Sequence, residues 1–180
     1  MVKNVFTKED FNSPSGMLTS VWGPPLWHSL HTISFNYPVK PTKTQKDDYF
    51  KFFNSLKNVL PCKYCRINLK KNLKTLPLKK SVFKNRESLS RWVYKLHELI
   101  NKMLGKKSRL TYEDVRIRYE YFRARCLKKP SNSKKESGCT DSLYGVKGKC
   151  VLNIVPKNKK TKTFNIDSKC KPKRGKKPKN

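Results

Sequence analysis

Apolar residues return every three or four positions along two stretches of this chain, and that period commits the sequence to helices. In Lys46–Leu60 they are Tyr49, Phe52, Phe53, Leu56, Val59 and Leu60. In the stretch that opens at Asn85 they are Leu89, Trp92, Val93, Leu96, Ile100, Met103 and Leu104. Such steps gather the apolar side chains on one helical face, which has to be buried against another element. Asn85 is a good N-cap with Glu87 in the first turn, and Gly105 stops the helix. Pro24–Asn36 predicts a further helix that starts at its prolines and ends before Pro38. Another runs from Cys62, just after Pro61, to about Lys74. Thr111 caps a shorter one through Arg125, with the acids Glu113 and Asp114 in its first turn. Short loops and no strand signal before residue 140 give an all-α fold, a four-helix bundle with a short fifth helix.

The 180 residues suit one compact domain plus an extension. Residues 1–18 read as a polar leader, 19–126 as the folded domain and 127–180 as a basic tail. The boundary falls at the polar linker Lys128–Lys135. The tail holds 17 Lys and Arg against three acids. Within it, Cys150–Val155 and Lys162–Ile166 could pair as short strands. The whole chain carries a formal charge of +31. That charge fits contact with a polyanion through the tail as well as it fits a solvated spacer. No apolar run is long enough for a membrane span, and the first residues lack a secretory signal core. A cytoplasmic protein is therefore expected, in which closely spaced cysteines are redox-active or metal-binding more often than passive staples.

The chemistry concentrates at Pro61-Cys62-Lys63-Tyr64-Cys65-Arg66. Two intervening residues put both sulfurs within bridging reach at a helix start. There the unpaired amides, Lys63 and Arg66 favour a thiolate. A thiolate attacks disulfides and reduces flavins. Three readings fit the pair alone: a redox disulfide, half of a zinc site, or a structural bridge. The zinc site would be completed by two of Cys126, Cys139, Cys150 or the histidines, yet zinc ligands normally come as two close pairs and no second one is present. A second constellation is aromatic and imidazole. Trp27 and His31 are four apart, as are His97 and Asn101, so each pair shares a helix face. Two such faces could enclose a flat ring system, or could simply be core.

Taken together these residues resemble the Erv/ALR family of FAD-dependent sulfhydryl oxidases. The matching pieces are Gly23-Pro24-Pro25-Leu26-Trp27-His28-Ser29-Leu30-His31, Tyr37-Pro38, Pro61-Cys62-Lys63-Tyr64-Cys65, His97-Glu98-Leu99-Ile100-Asn101 and Leu104-Gly105-Lys106, in the family's order. The resemblance covers roughly residues 19–126 and implies FAD held by a helical bundle, with no metal. It implies that Cys65 is the flavin-proximal sulfur, making the charge-transfer contact, and Cys62 the interchange sulfur facing substrate thiols. Gly23, Trp27, His31 and Tyr37 match positions along the flavin. His97 and Asn101 match the adenine and ribose side, Lys106 the phosphates, and Tyr119 a place where the family often has an adenine-stacking Trp. Protein dithiols and molecular oxygen are the implied substrates, hydrogen peroxide the product, and a homodimer the implied assembly.

Three departures from the family pattern stand out. Pro24 replaces an Arg that often follows the Gly. Tyr112 stands near the first position of a second structural cysteine pair, for which only Cys126 remains, so that bridge is expected to be absent and Cys126 free or joined to a tail cysteine. No targeting signal is visible. With the Lys-rich tail, these departures look most like the Erv-type oxidases of large cytoplasmic DNA viruses, which implies disulfide formation on virion proteins in the host cytoplasm. Cys139, Cys150 and Cys170 are candidates for a mobile shuttle pair, although a Cys139–Cys150 bridge pinning a tail subdomain is the preferred expectation. Two rival functions are a basic zinc-containing nucleic-acid-binding module and a thioredoxin-like reductant; the latter lacks the strands it needs.

Overall fold

The computed structural model describes residues 7–127, 138–151, 153–156, 158–159 and 167–170. The chain forms two compact units, Met1–Arg109 and Leu110–Asn180. The first contains a one-turn helix α1 (Lys8–Phe11) and four longer helices, α2 (Thr19–Asn36), α3 (Lys43–Val59), α4 (Lys63–Thr75) and α5 (Arg86–Met103). A 3-10 turn at Lys80–Phe83 joins α4 to α5. The second contains α6 (Tyr112–Glu120) and the strands β1 (Ala124–Leu127) and β2 (Gly138–Ser142).

Local chemistry sets the helix starts. Thr42 accepts from the Gln45 amide while the Gln45 side chain accepts from the Thr42 amide, a reciprocal cap that opens α3. Asn85 accepts from the Ser88 amide at the start of α5, and Thr111 with Asp114 repeats the reciprocal cap on α6. Most of each apolar face read from the periodicity is buried, but Phe52 and Val59 of α3, and Met103 and Leu104 at the end of α5, are exposed. Phe53 and Leu56 of α3, Leu69 of α4, and Leu89, Trp92, Val93 and Leu96 of α5 form one core with Leu30, Tyr37 and Phe83. Within it α2 packs on α5, α3 on α4, and the 3-10 turn on both α3 and α5.

The observed elements depart from expectation in five places. Helix α2 begins at Thr19, five residues before Pro24, and runs through both prolines. Proline's φ is already helical, but each ring crowds the carbonyl four residues back, at Ser20 and Val21, and offers it no amide donor. The leader is not structureless: Thr7 caps α1, and residues 15–17 pair with the chain at Cys62. Helix α6 ends at Glu120, because Ala124–Leu127 leaves the helix to pair antiparallel with Gly138–Ser142. A disulfide between Cys126 and Cys139 ties that hairpin together. The preferred Cys139–Cys150 bridge is thereby overturned: Cys139 is taken by Cys126, and Cys150 and Cys170 are thiols. The described residues of the expected strand Cys150–Val155 carry no strand, and Lys162–Ile166 lies outside the described residues.

Candidate active site: a capped dithiol beside an aromatic and imidazole stack

Cys62 is the N-cap of α4. Its φ of −156° is extended, its sulfur accepts the Cys65 amide at 3.2 Å, and its carbonyl accepts the Arg66 amide at 3.1 Å. A helix start leaves four amides without intrahelical partners, and here one of them is aimed at a sulfur. Cys62 and Cys65 are both thiols in this structure and both partly accessible. Their environments differ. Burial pushes the Cys62 thiol up, but hydrogen bonds from Cys65, and further ones from Thr19 and the Tyr64 backbone, outweigh it and hold Cys62 below a free cysteine. Burial and the hydrogen bond to Cys62 push the Cys65 thiol up, with Thr19 and the Arg66 charge opposing. Of the two flanking cations, Arg66 turns its guanidinium to the Leu60 carbonyl at 2.5 Å while its charge still acts on Cys65.

The second constellation lies across α2 and α5. Trp27 and His97 stack with centroids 3.9 Å apart and planes within 4°. His31 Nε2 and His97 Nδ1 are 3.0 Å apart, so one imidazole donates to the other. Burial, together with the mutual repulsion of positive charges, drives His31 down to about 3; burial and the neighbouring Lys106 charge drive His97 down to about 4. The pair is neutral at physiological pH. The structure thus unites Trp27, His31 and His97. The Asn101 side chain donates to Glu98 at 3.2 Å, and the Asn101 carbonyl accepts the Lys106 amide at 2.8 Å. Tyr37 is placed differently. It is 0 % exposed, its hydroxyl donates to the Phe83 carbonyl at 2.9 Å and its ring lies against Tyr49. Burial raises the Tyr37 phenol, as does the adjacent Tyr49. Tyr119 belongs to the second unit, where burial pushes its phenol up to about 12 and its ring meets Phe122 edge-on.

One residue escaped the sequence reading. Thr19 Oγ1 lies 3.8 Å from Cys65 Sγ, within hydrogen-bonding reach of sulfur. The signal was available: Thr19, Gly23, Trp27 and His31 follow one another at steps of four along α2, so a single helical face leads from the dithiol to the stack. Among the described residues, no three His, Cys, Asp or Glu side chains converge as metal ligands would. No helix among them is long and apolar enough to cross a membrane.

The fold and the site define a helical protein organised around a C-x-x-C dithiol. Residues 24–120, more than half of the chain, match the Erv1 / Alr family, and the chain belongs to that family. A "Probable FAD-linked sulfhydryl oxidase" of Acanthamoeba polyphaga mimivirus is 41% identical over 94 residues, covering 52% of this chain and 65% of the relative. The FAD-linked sulfhydryl oxidase ERV1 of Arabidopsis thaliana is 30% identical over 103 residues, covering 57% of this chain and 51% of the relative. The chain therefore spans less than two thirds of either relative's length. The crystal structure of the FAD binding domain of Erv1 from Saccharomyces cerevisiae superposes with a TM-score of 0.52 and 27% identity, over 58% of this chain and 95% of that one.

The face of α2 suits a flat cofactor. A Cβ added at Gly23 would touch only the Thr19 methyl, at 3.5 Å, so no protein atom crowds the bare backbone between the dithiol contact and Trp27. A ring laid there would meet the Cys65 side at one end and the Trp27–His97 stack at the other.

Proposed function

We propose that this protein is an FAD-dependent thiol oxidase that forms disulfides in protein substrates. The observation that carries this reading is the dithiol capping α4 at one end of the helical face whose other end is the Trp27–His31–His97 cluster. In the oxidised enzyme a substrate thiolate attacks the Cys62 sulfur, the Cys62–Cys65 bond breaks, and Cys65 leaves as a thiolate. The second substrate thiol then displaces Cys62, so the substrate loses two electrons and two protons and the enzyme holds the reduced pair. The chemistry that bound FAD would supply is acceptance of the electron pair from the reduced Cys62 and Cys65, with oxygen as the final acceptor and hydrogen peroxide as the product. Trp27 would face the ring system, with His97 stacked behind it, and Gly23 would let the ring approach the helix backbone. His97 and Asn101 belong to the adenine and ribose side in this reading, and Lys106 to the phosphates. Tyr37, with no exposed surface, would act from beneath as a core support.

The likeness to viral FAD-linked sulfhydryl oxidases, those of mimivirus and African swine fever virus, supports a setting in which virion proteins are oxidised in the host cytoplasm. A homodimer, and contact of the basic tail with polyanions, belong to the same proposal. The test is the visible spectrum of the purified protein before and after a dithiol, with oxygen uptake alongside. A yellow protein that bleaches and recovers in air is expected. Cys65→Ser should lose turnover by at least about a thousandfold while keeping the colour, because no other sulfur replaces the leaving thiolate. A colourless folded protein, or an active Cys65→Ser enzyme, refutes the reading.

A further inference from the structure

The leader crosses the active-site turn. The Met17 amide donates to the Pro61 carbonyl at 2.6 Å and the Lys63 amide donates to the Ser15 carbonyl at 3.2 Å, which makes an antiparallel bridge between Gly16 and Cys62. Lys63 is the first residue of α4, so the strap satisfies one of the orphan amides there. Only glycine fits at the crossing. Gly16 has φ +92°, and a Cβ would stand 2.5 Å from the Pro61 carbonyl oxygen. The strap is also fastened to the helix that follows it, because Trp22 Nε1 donates to the Met17 carbonyl at 3.0 Å. Two residues after Met17 comes Thr19, whose hydroxyl reaches the Cys65 sulfur at 3.8 Å.

We propose that residues 15–19 are part of the active site: the strap pinned across Pro61–Lys63 delivers the Thr19 hydroxyl to Cys65, where it donates a hydrogen bond that holds this sulfur as a thiolate after the Cys62–Cys65 bond opens. The hydroxyl lies within hydrogen-bonding reach of the Cys65 sulfur and also acts on Cys62, and at Cys65 it works against the burial and the Cys62 contact that favour the protonated thiol. This rests on the reading of Cys62 and Cys65 as the redox pair, and it adds a residue that touches the reacting atom.

The test uses the full chain, as purified, carrying Cys62→Ser so that Cys65 is the remaining sulfur of the pair. Its alkylation by iodoacetamide is followed against pH by peptide mass spectrometry, which reads the thiolate without relying on turnover. Thr19→Val should lower the rate at pH 7 roughly three- to tenfold and move the profile to higher pH, as expected for loss of a hydrogen bond to a charged group. Thr19→Ser should restore the parental profile. Gly16→Val, which breaks the strap at a distance from the sulfur, should shift the profile in the same direction as Thr19→Val. A Thr19→Val profile that overlays the parent, or a Ser variant no better than the Val variant, overturns the proposal. Failure of the redox reading itself shows elsewhere, as turnover retained by Cys65→Ser.

Discussion

His31 and His97 show how burial selects a protonation state. The two imidazoles share one hydrogen bond and lie under Trp27, so a proton on either would be both desolvated and repelled. Their folded values, about 3 and about 4, lie below the ordinary histidine value of 6.5. As pH falls below that ordinary value the unfolded chain takes up protons that the folded chain refuses. Stability is then lost progressively down to the folded values and is fully present at neutral pH. The urea midpoint should therefore fall steadily between about pH 6.5 and pH 4, and His31→Asn should flatten that slope. Asp10 and Asp114 are held below the usual carboxylate range by the Thr7 and Thr111 caps, and they titrate at lower pH. A midpoint constant from pH 7 to 4.5 would contradict a buried neutral pair.

At the level of elements, the long amphipathic helices were legible because their caps and apolar steps are local. Asn85 and Thr111 sit where the caps are, and α3 and α5 bury the central part of the faces that their spacing defines. The β-hairpin was not legible. Ala124–Leu127 continues the pattern of α6 until a partner strand and a cysteine from beyond the polar linker take it over. The Cys126–Cys139 bridge, with a sequence separation of 13, closes a short loop. Cys126→Ser combined with Cys139→Ser should lower the unfolding free energy of the second unit by about 3 kcal/mol on the loop-closure argument. Thermal unfolding followed by amide exchange at residues 124–127 and 138–142 measures it. Oxidation of a small dithiol should stay within about twofold, since Cys62 and Cys65 are untouched. Unchanged protection in the double variant would show that strand pairing alone holds the hairpin.

For the molecule as a whole, the dominant long-range fact is the charge of +31, with 17 of the basic residues after residue 126. Counterion release makes any polyanion contact steeply salt-dependent. Affinity for heparin should drop by at least about a hundredfold between 50 and 200 mM salt and should be largely lost on truncation after Leu127, with little change in small-dithiol oxidation. Salt-insensitive binding would mean that the tail is only a spacer. The sequence by itself determined the helical class, the C-x-x-C at a helix start and the helix-face pairings of Trp27 with His31 and His97 with Asn101. Each of these depends on residues within a turn or two of one another. Tertiary structure alone decided that Trp27 stacks on His97, that Cys126 takes Cys139, that Tyr37 sinks into the core and that the leader crosses Cys62. Those outcomes join residues far apart in the chain, and packing, not local propensity, selects among such partners.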